Sequence, residues 1–292
     1  MISINISKTL WTALSAIGLL TTIAPATAAT FSIDEFFITR SNGNLVFRDS
    51  FSDGISPPSA PNFNNGNQGA YFLTGLAGTE AGGKLSLDTS LGVIRDATGR
   101  AGQNRIFDAR LLTNIDPTNT TNGFKAANTF IVNGLFDLSA LPTVPFEGFG
   151  IRLSDAGIGS LSNQGDDQLE LLVRRNPIND LVIQFRRVDS QNDLVTTFGS
   201  VLLDTGHDQV QLGLSKLNAT TPTVAASFAY VDGGVVGGVT SFVNTADIFN
   251  GENATRASFR AISPVPEPGA YGMMLAGLGL IGWIARRRSH VR

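Results

Sequence analysis

Two places in the sequence gather residue types that can move protons. The first is Asp166-Asp167-Gln168-Leu169-Glu170. On a strand, side chains alternate between faces, so Asp166, Gln168 and Glu170 would share one face. Two carboxylates aimed into one groove are the minimum for acid–base cleavage of a glycosidic bond. The second is Asp204-Thr205-Gly206-His207-Asp208, a turn sequence that sets one imidazole between carboxylates. Neither grows into a catalytic constellation. The chain has no Gly-x-Ser-x-Gly elbow and no His-Glu-x-x-His pair. We therefore expect Asp166–Glu170 to be a solvated strand face and His207 to be an exposed turn residue. No catalytic residue is assigned. Replacing Glu170 or His207 by Ala is expected to leave the properties of the protein nearly unchanged.

Metal and sugar chemistry have thin support. Calcium needs several oxygen ligands, and Asp49, Asp53, Asp155, Asp166 and Asp167 are the loop or strand-end carboxylates on offer. Their spacing is not that of a calcium loop, so no ligand is assigned and no cofactor is expected, calcium being the one candidate. Stacking on sugars needs exposed rings. Both tryptophans, Trp11 and Trp283, fall in the chain ends, which leaves Tyr71 and Tyr230 as the polar-edged aromatics of the body. The absence of cysteine removes disulfides, thiolate metal sites and cysteine nucleophiles.

The elements that position these residues read as short strands. Charged residues make up only 15% of the 292 residues, against about 25% in typical soluble domains. Glycine is frequent, with 32 residues. Strand-like segments recur at 30–39, 45–47, 84–88, 129–133, 150–154, 168–175, 181–188, 195–203, 209–214, 224–231 and 235–243. Turn signals separate them: Asn42-Gly43, the loop Asn176–Asp180, and Asp232-Gly233-Gly234. Ser52–Ala70, rich in Pro and Asn, reads as a long surface loop. Short strands without helical periodicity predict an all-β fold, a single β-sandwich over residues 29–264. That body holds 16 basic and 23 acidic residues, a net charge of about −7, which argues against a nucleic-acid partner.

Both ends read differently. Residues 1–28 combine Lys8, an apolar stretch from Leu10 to Ile23, and Ala26-Thr27-Ala28, with Ala26 and Ala28 at the two positions a signal peptidase reads. They predict a signal peptide and an exported body. In an oxidising compartment, a chain without cysteine must be held by its core alone. Residues 265–292 combine Pro266-Glu267-Pro268, an apolar run over 269–285, and Arg286-Arg287-Arg288. As a helix the run is about 25 Å long, at the lower limit for a bilayer. The arginines would stay on the cytoplasmic side, so the body lies outside.

The order Pro-Glu-Pro, apolar helix, Arg cluster resembles the PEP-CTERM sorting signal of Gram-negative bacteria. The resemblance rests on Pro266, Glu267 and Pro268 as sorting motif and on Arg286, Arg287 and Arg288 as basic stop. It implies processing by exosortase, with the protein anchored in the inner membrane beforehand and found at the cell surface or in the extracellular matrix afterwards. A second, shorter resemblance lies in Leu45-Val46-Phe47-Arg48-Asp49-Ser50-Phe51-Ser52-Asp53-Gly54 and in the hairpins between Asp166 and Gly234. These look like concanavalin A-like lectin and glucanase jelly rolls. Glucanases of that fold carry Glu-x-Asp-x-x-Glu on one strand, a pattern missing here. The sequence is thus read as an exported, non-enzymatic surface or matrix protein, structural or adhesive in association with exopolysaccharide. The rivals are a carbohydrate-binding module and a divergent glycoside hydrolase.

Overall fold

In the computed structural model, the described residues are 29–52, 54, 59–60, 69–74, 79–91, 93–95, 104–112, 129–156, 167–189, 194–247, 254–264 and 276–281. By its internal contacts the chain divides into Ala28–Pro264 and a second unit of Met1–Thr27 with Val265–Arg292.

The larger unit is built from strands. In chain order they are β1 (Thr30–Thr39), β2 (Leu45–Asp49), β3 (Ser59–Ala60), β4 (Gly69–Thr74), β5 (Glu80–Ala81), β6 (Lys84–Asp88), β7 (Val93–Arg95) and β8 (Asn104–Leu112). There follow β9 (Phe130–Asp137), β10 (Gly148–Ala156), β11 (Asp167–Arg175), β12 (Leu181–Asp189), β13 (Leu194–Leu202) and β14 (Gln209–Lys216). The last are β15 (Thr223–Asp232), β16 (Val235–Val236), β17 (Thr240–Ser241), β18 (Ala246–Asp247) and β19 (Ala254–Pro264).

Among the described residues these strands form two antiparallel sheets. The first runs β16-β15-β14-β9-β1-β6-β5, with β2 on β1 and with β17 and β18 on β15. The second runs β13-β12-β11-β10-β19-β8-β4-β3, with β7 on β8. The sheets pack face to face through one core. Phe31 of β1 meets Phe149 of β10 at 4.8 Å between ring centres, and Phe36 meets Phe259 of β19 at 5.2 Å.

Phenylalanine does most of the filling. Phe31, Phe36, Phe47, Phe51, Phe130, Phe136 and Phe149 are all fully buried. Each such side chain contributes about 1.5–3 kcal/mol of apolar burial. This is how a chain without disulfides is held together.

β1 shows how the sequence reaches that core. Its buried apolar residues, Phe31, Ile33, Phe36 and Ile38, do not keep one parity. Strict alternation would send one pair outward. The register against β9 slips between Ile33 and Glu35, and this bulge turns both pairs inward. The hairpin from β15 to β16 turns at Gly233 (φ +56°) and Gly234 (φ +81°). A two-residue turn of this hand needs positive φ at both central positions, which is why Asp232-Gly233-Gly234 marks it.

Most expected strands are present, several of them longer at their ends. The expected strand 235–243 is broken into the short β16 and β17. β4, β5, β7, β8, β18 and β19 fall outside the expected segments. The segment read as one loop, Ser52–Ala70, contains β3 and the start of β4. The signal peptide, with Ala26 and Ala28, lies outside the described residues. So do Pro266, Glu267, Pro268, Arg286, Arg287 and Arg288. Of the run 269–285, residues 276–281 are described and are helical. Among the described residues no helix is long and apolar enough to cross a membrane.

Candidate functional site

The second sheet has two faces of opposite character. Toward the core it presents Phe149, Ile151 and Leu153 of β10, Leu169, Leu171 and Val173 of β11, and Ala257, Phe259 and Ala261 of β19. Alternation puts the intervening residues on the other face: Arg152 and Ser154, Gln168, Glu170 and Arg174, Arg186, and Ser258 and Arg260. These polar side chains share that face with the apolar Leu172 and Ile262, and they are 0–6% exposed.

Glu170 is its electrostatic centre. The Cα register sets Glu170 between Arg152 of β10 and Arg186 of β12. Arg186 donates from Nε to Glu170 Oε2 at 2.6 Å, with its NH2 nitrogen also 2.6 Å away. Arg260 pairs with the other carboxylate oxygen, Oε1. Burial opposes ionisation of Glu170, but the charges of Arg186, Arg260 and Arg152 outweigh it and hold the carboxyl at about 2. The group is a permanent anion, not a proton donor.

Among the described side chains, four arginines share this face with the one carboxylate. Arg152, whose Nε donates to Ser258 Oγ at 3.1 Å, also donates to Gln168 Oε1 at 2.9 Å. Arg174 donates to Gln184 Oε1 at 3.1 Å and lies 5.8 Å from the Phe146 ring centre. Burial, with the nearby charge of Arg186, pushes the Arg174 guanidinium down to about 9, Glu170 offsetting only part. Several buried polar atoms find no hydrogen-bond partner in the protein: Gln168 Nε2, Ser154 Oγ, Arg174 Nε and Arg260 Nε. Most of these are donors only, and unpaired buried donors cost about 1–3 kcal/mol each.

The expectation of a solvated strand face at Asp166–Glu170 is therefore corrected for Gln168 and Glu170. Both are buried, and the charges that pair with Glu170 come from Arg186 of β12 and Arg260 of β19. The side chains of Asp166 and Asp167 lie outside the described residues. Sequence reasoning missed Arg152, Arg186 and Arg260. Their signal was an arginine recurring at same-face positions within otherwise apolar strands, as in Arg256-Ala257-Ser258-Phe259-Arg260.

His207 lies where a turn was expected, in the β13–β14 connection, but it is half-buried rather than exposed. Its Nδ1 is 2.7 Å from Asp232 Oδ2, and its ring stacks on Tyr230 at 4.2 Å. Asp232 Oδ1 also accepts from the Asp208 backbone N–H, and Tyr230 Oη accepts from that of Asp204. The hydrogen bond to Asp232, with the charges of Asp232, Asp204 and Asp208, raises the His207 pKa. This cluster ties the β15–β16 hairpin to the β13–β14 connection. Asp49, the one described calcium candidate with a described side chain, caps its own turn by accepting from Phe51 N–H at 3.0 Å. Side chains of Asp53, Asp155 and Tyr71 lie outside the described residues. Among the described residues no three His, Asp or Glu side chains are grouped to hold a metal ion.

An all-β body of two antiparallel sheets is the class these features define. The PEP-CTERM protein-sorting motif matches residues 264–289, where Pro266-Glu267-Pro268 and Arg286–Arg288 stand. It marks the chain as an exosortase-targeted extracellular protein, membrane-anchored and then processed. No curated protein matches the chain. Among solved structures, it is similar to a protein of unknown function from Shewanella oneidensis MR-1, at 14% identity over 91% of this chain and 97% of that one, with a TM-score of 0.28.

Proposed function

We propose that the mature body is a non-enzymatic structural or adhesive protein of extracellular polysaccharide, delivered by removal of its sorting tail. The observation that carries this reading is the sorting motif at 264–289. The chemistry of Glu170 supports the non-enzymatic part. Glycoside hydrolysis needs a carboxyl that is protonated near neutrality, and Glu170 is held ionised between two arginines. We read the two antiparallel sheets as a concanavalin A-like jelly roll, following the resemblance at Leu45–Gly54.

Processing is tested by intact mass of the protein released from a host with exosortase. Wild-type protein should lack the apolar run 269–285. Pro266→Ala combined with Glu267→Ala should keep the tail and remain in the membrane, since the prolines hold the segment extended and Glu267 resists entry into the bilayer. Released protein that still carries residues through Arg292 would overturn the sorting reading. Release of a neutral or acidic polysaccharide fragment by purified protein would overturn the non-enzymatic one.

A further inference from the structure

The ends of the two sheets differ in the backbone they leave open. Three of them, β16, β5 and β3, are strands of two residues. The fourth, β13, has nine residues, and among the described residues it pairs with β12 alone. An edge strand offers a row of unpaired N–H and C=O groups to any strand that meets it, and proteins blunt such edges with brevity, charge or proline. Leu194–Leu202 has no charge and no proline. Its one interruption is the bulge at Phe198, whose carbonyl accepts from Asn244 Nδ2.

The side chains of β13 are open as well. Consecutive residues point to opposite faces of a sheet. Yet Leu194 (57%), Val195 (40%), Val201 (39%) and Leu202 (70%) are all exposed. Both ends of the strand therefore stand clear of the sandwich on both faces. The chain after β15 runs beside it. Phe242 lies against Gly199, where an added Cβ would come within 2.3 Å of its ring, and is 6.0 Å from Phe185 between ring centres. This neighbouring segment exposes Val235, Val236, Val239 and Val243. Residues 194–203 and 233–246 carry no charged side chain, in a body that is acidic as a whole. Exposed aliphatic side chains gathered on two adjacent segments mark an interaction surface.

Two features select a second copy of this chain as the partner. Acidic bodies repel one another, and this uncharged surface is where two of them can meet without opposing like charges. The strand also reads nearly alike in both directions. It has Leu-Val at its start and Val-Leu at its end, with hydroxyls at Thr196, Thr197 and Ser200 between. A two-fold contact sets a strand antiparallel to its own copy, so apolar ends meet apolar ends. We propose that two copies of the protein pair antiparallel through their β13 edges, extending the second sheet of one body into that of the other, with the exposed valines of 235–243 flanking the contact. The inference concerns assembly and does not depend on the polysaccharide reading.

The test uses the full chain in detergent, with its mass followed by sedimentation over a range of protein concentrations. A reversible dimer is expected. Hydrogen exchange separates this contact from any association of the tail: amides within 194–202 should gain protection as concentration rises. Leu202→Lys changes a side chain that is already exposed. It should weaken dimerisation about tenfold or more, at an unchanged melting temperature measured at low concentration. Ile178→Lys, at a comparably exposed apolar residue of the β11–β12 loop, should leave the dimer intact. A monomer at every concentration, no gain of protection at 194–202, or a dimer undiminished in Leu202→Lys would each overturn the proposal. So would equal losses in Leu202→Lys and Ile178→Lys, which mean unspecific contact, and open-ended growth beyond the dimer, which two-fold pairing forbids. Protection gained only when neutral phospholipid vesicles are added would give the surface to lipid and overturn it as well.

Discussion

Glu170 Oε2 accepts from Nε of Arg186 at 2.6 Å, across the pairing of β11 with β12 and on the face of the sheet turned away from the core. A buried carboxylate with this partner is an integral part of the fold. Removing one member of such a pair leaves the others charged, buried and uncompensated, at a cost of about 3–5 kcal/mol. Glu170→Ala should therefore lower the thermal midpoint sharply, by circular dichroism or calorimetry. A midpoint equal to wild type would show that the face does not depend on this charge. The earlier expectation of a silent substitution at Glu170 is reversed by its setting.

Acid should act through the same group. The folded-state pKa of Glu170 is depressed from 4.5 to about 2, so the folded protein binds the proton less readily than the unfolded chain. The stability this confers is fully present above about 4.5 and is lost as pH falls toward 2. Urea midpoints measured from pH 5 down to 2 should fall, and in Glu170→Gln that part of the slope should vanish.

Much of the fold was legible and the charged face was not, for one physical reason. β1, β6 and β11–β15 announce themselves because their apolar residues alternate with polar ones or stand between strong turns. β19 and β8 hide. β19 buries Ala257, Phe259 and Ala261 on one side and Ser258 and Arg260 on the other. Small and charged residues carry little hydrophobic periodicity, and a polar residue is read as exposed unless its partner is known. The partners of Glu170, Arg186 and Arg260, are 16 and 90 residues away in sequence. Only the strand order brings them together. Glu170 itself was singled out by sequence, but its role was not.

Close backbone approach makes Gly150 a sensitive position. It lies in β10, beside β11, at φ +157°. A Cβ at Gly150 would collide with the Leu171 carbonyl oxygen and crowd Leu172 Cα, neither of which can move without parting the strands. Gly150→Ala should destabilise the protein by more than the ~1 kcal/mol typical of point mutants, read as a loss of urea midpoint at unchanged m-value. An unchanged midpoint would mean that β10 and β11 can separate freely.

His207 gives a prediction without an energy attached. Its pKa is raised, chiefly by the hydrogen bond to Asp232. The sign is that of a group favoured in its charged form. Whatever stability the contact adds is present below about 6.5 and is lost as pH rises through the higher folded value. Imidazole resonances followed by NMR should titrate above 6.5, and Asp232→Asn should bring them down. A titration indifferent to Asp232→Asn would exclude the pairing in solution.

β19 ends at Pro264, and the sorting motif begins there. That strand pairs with β10 over 254–262 and with β8 over 258–264, so it is held on both sides over 258–262. While the protein is still tethered by its tail, any drag on the body is therefore transmitted into a strand clamped at mid-sheet. The load runs along the strand, so two ladders of hydrogen bonds must shear together before β19 can slip. A tether attached at the rim of a sheet would instead unzip one bond at a time. The connection gives the anchored protein mechanical resistance at the point where the processing enzyme acts.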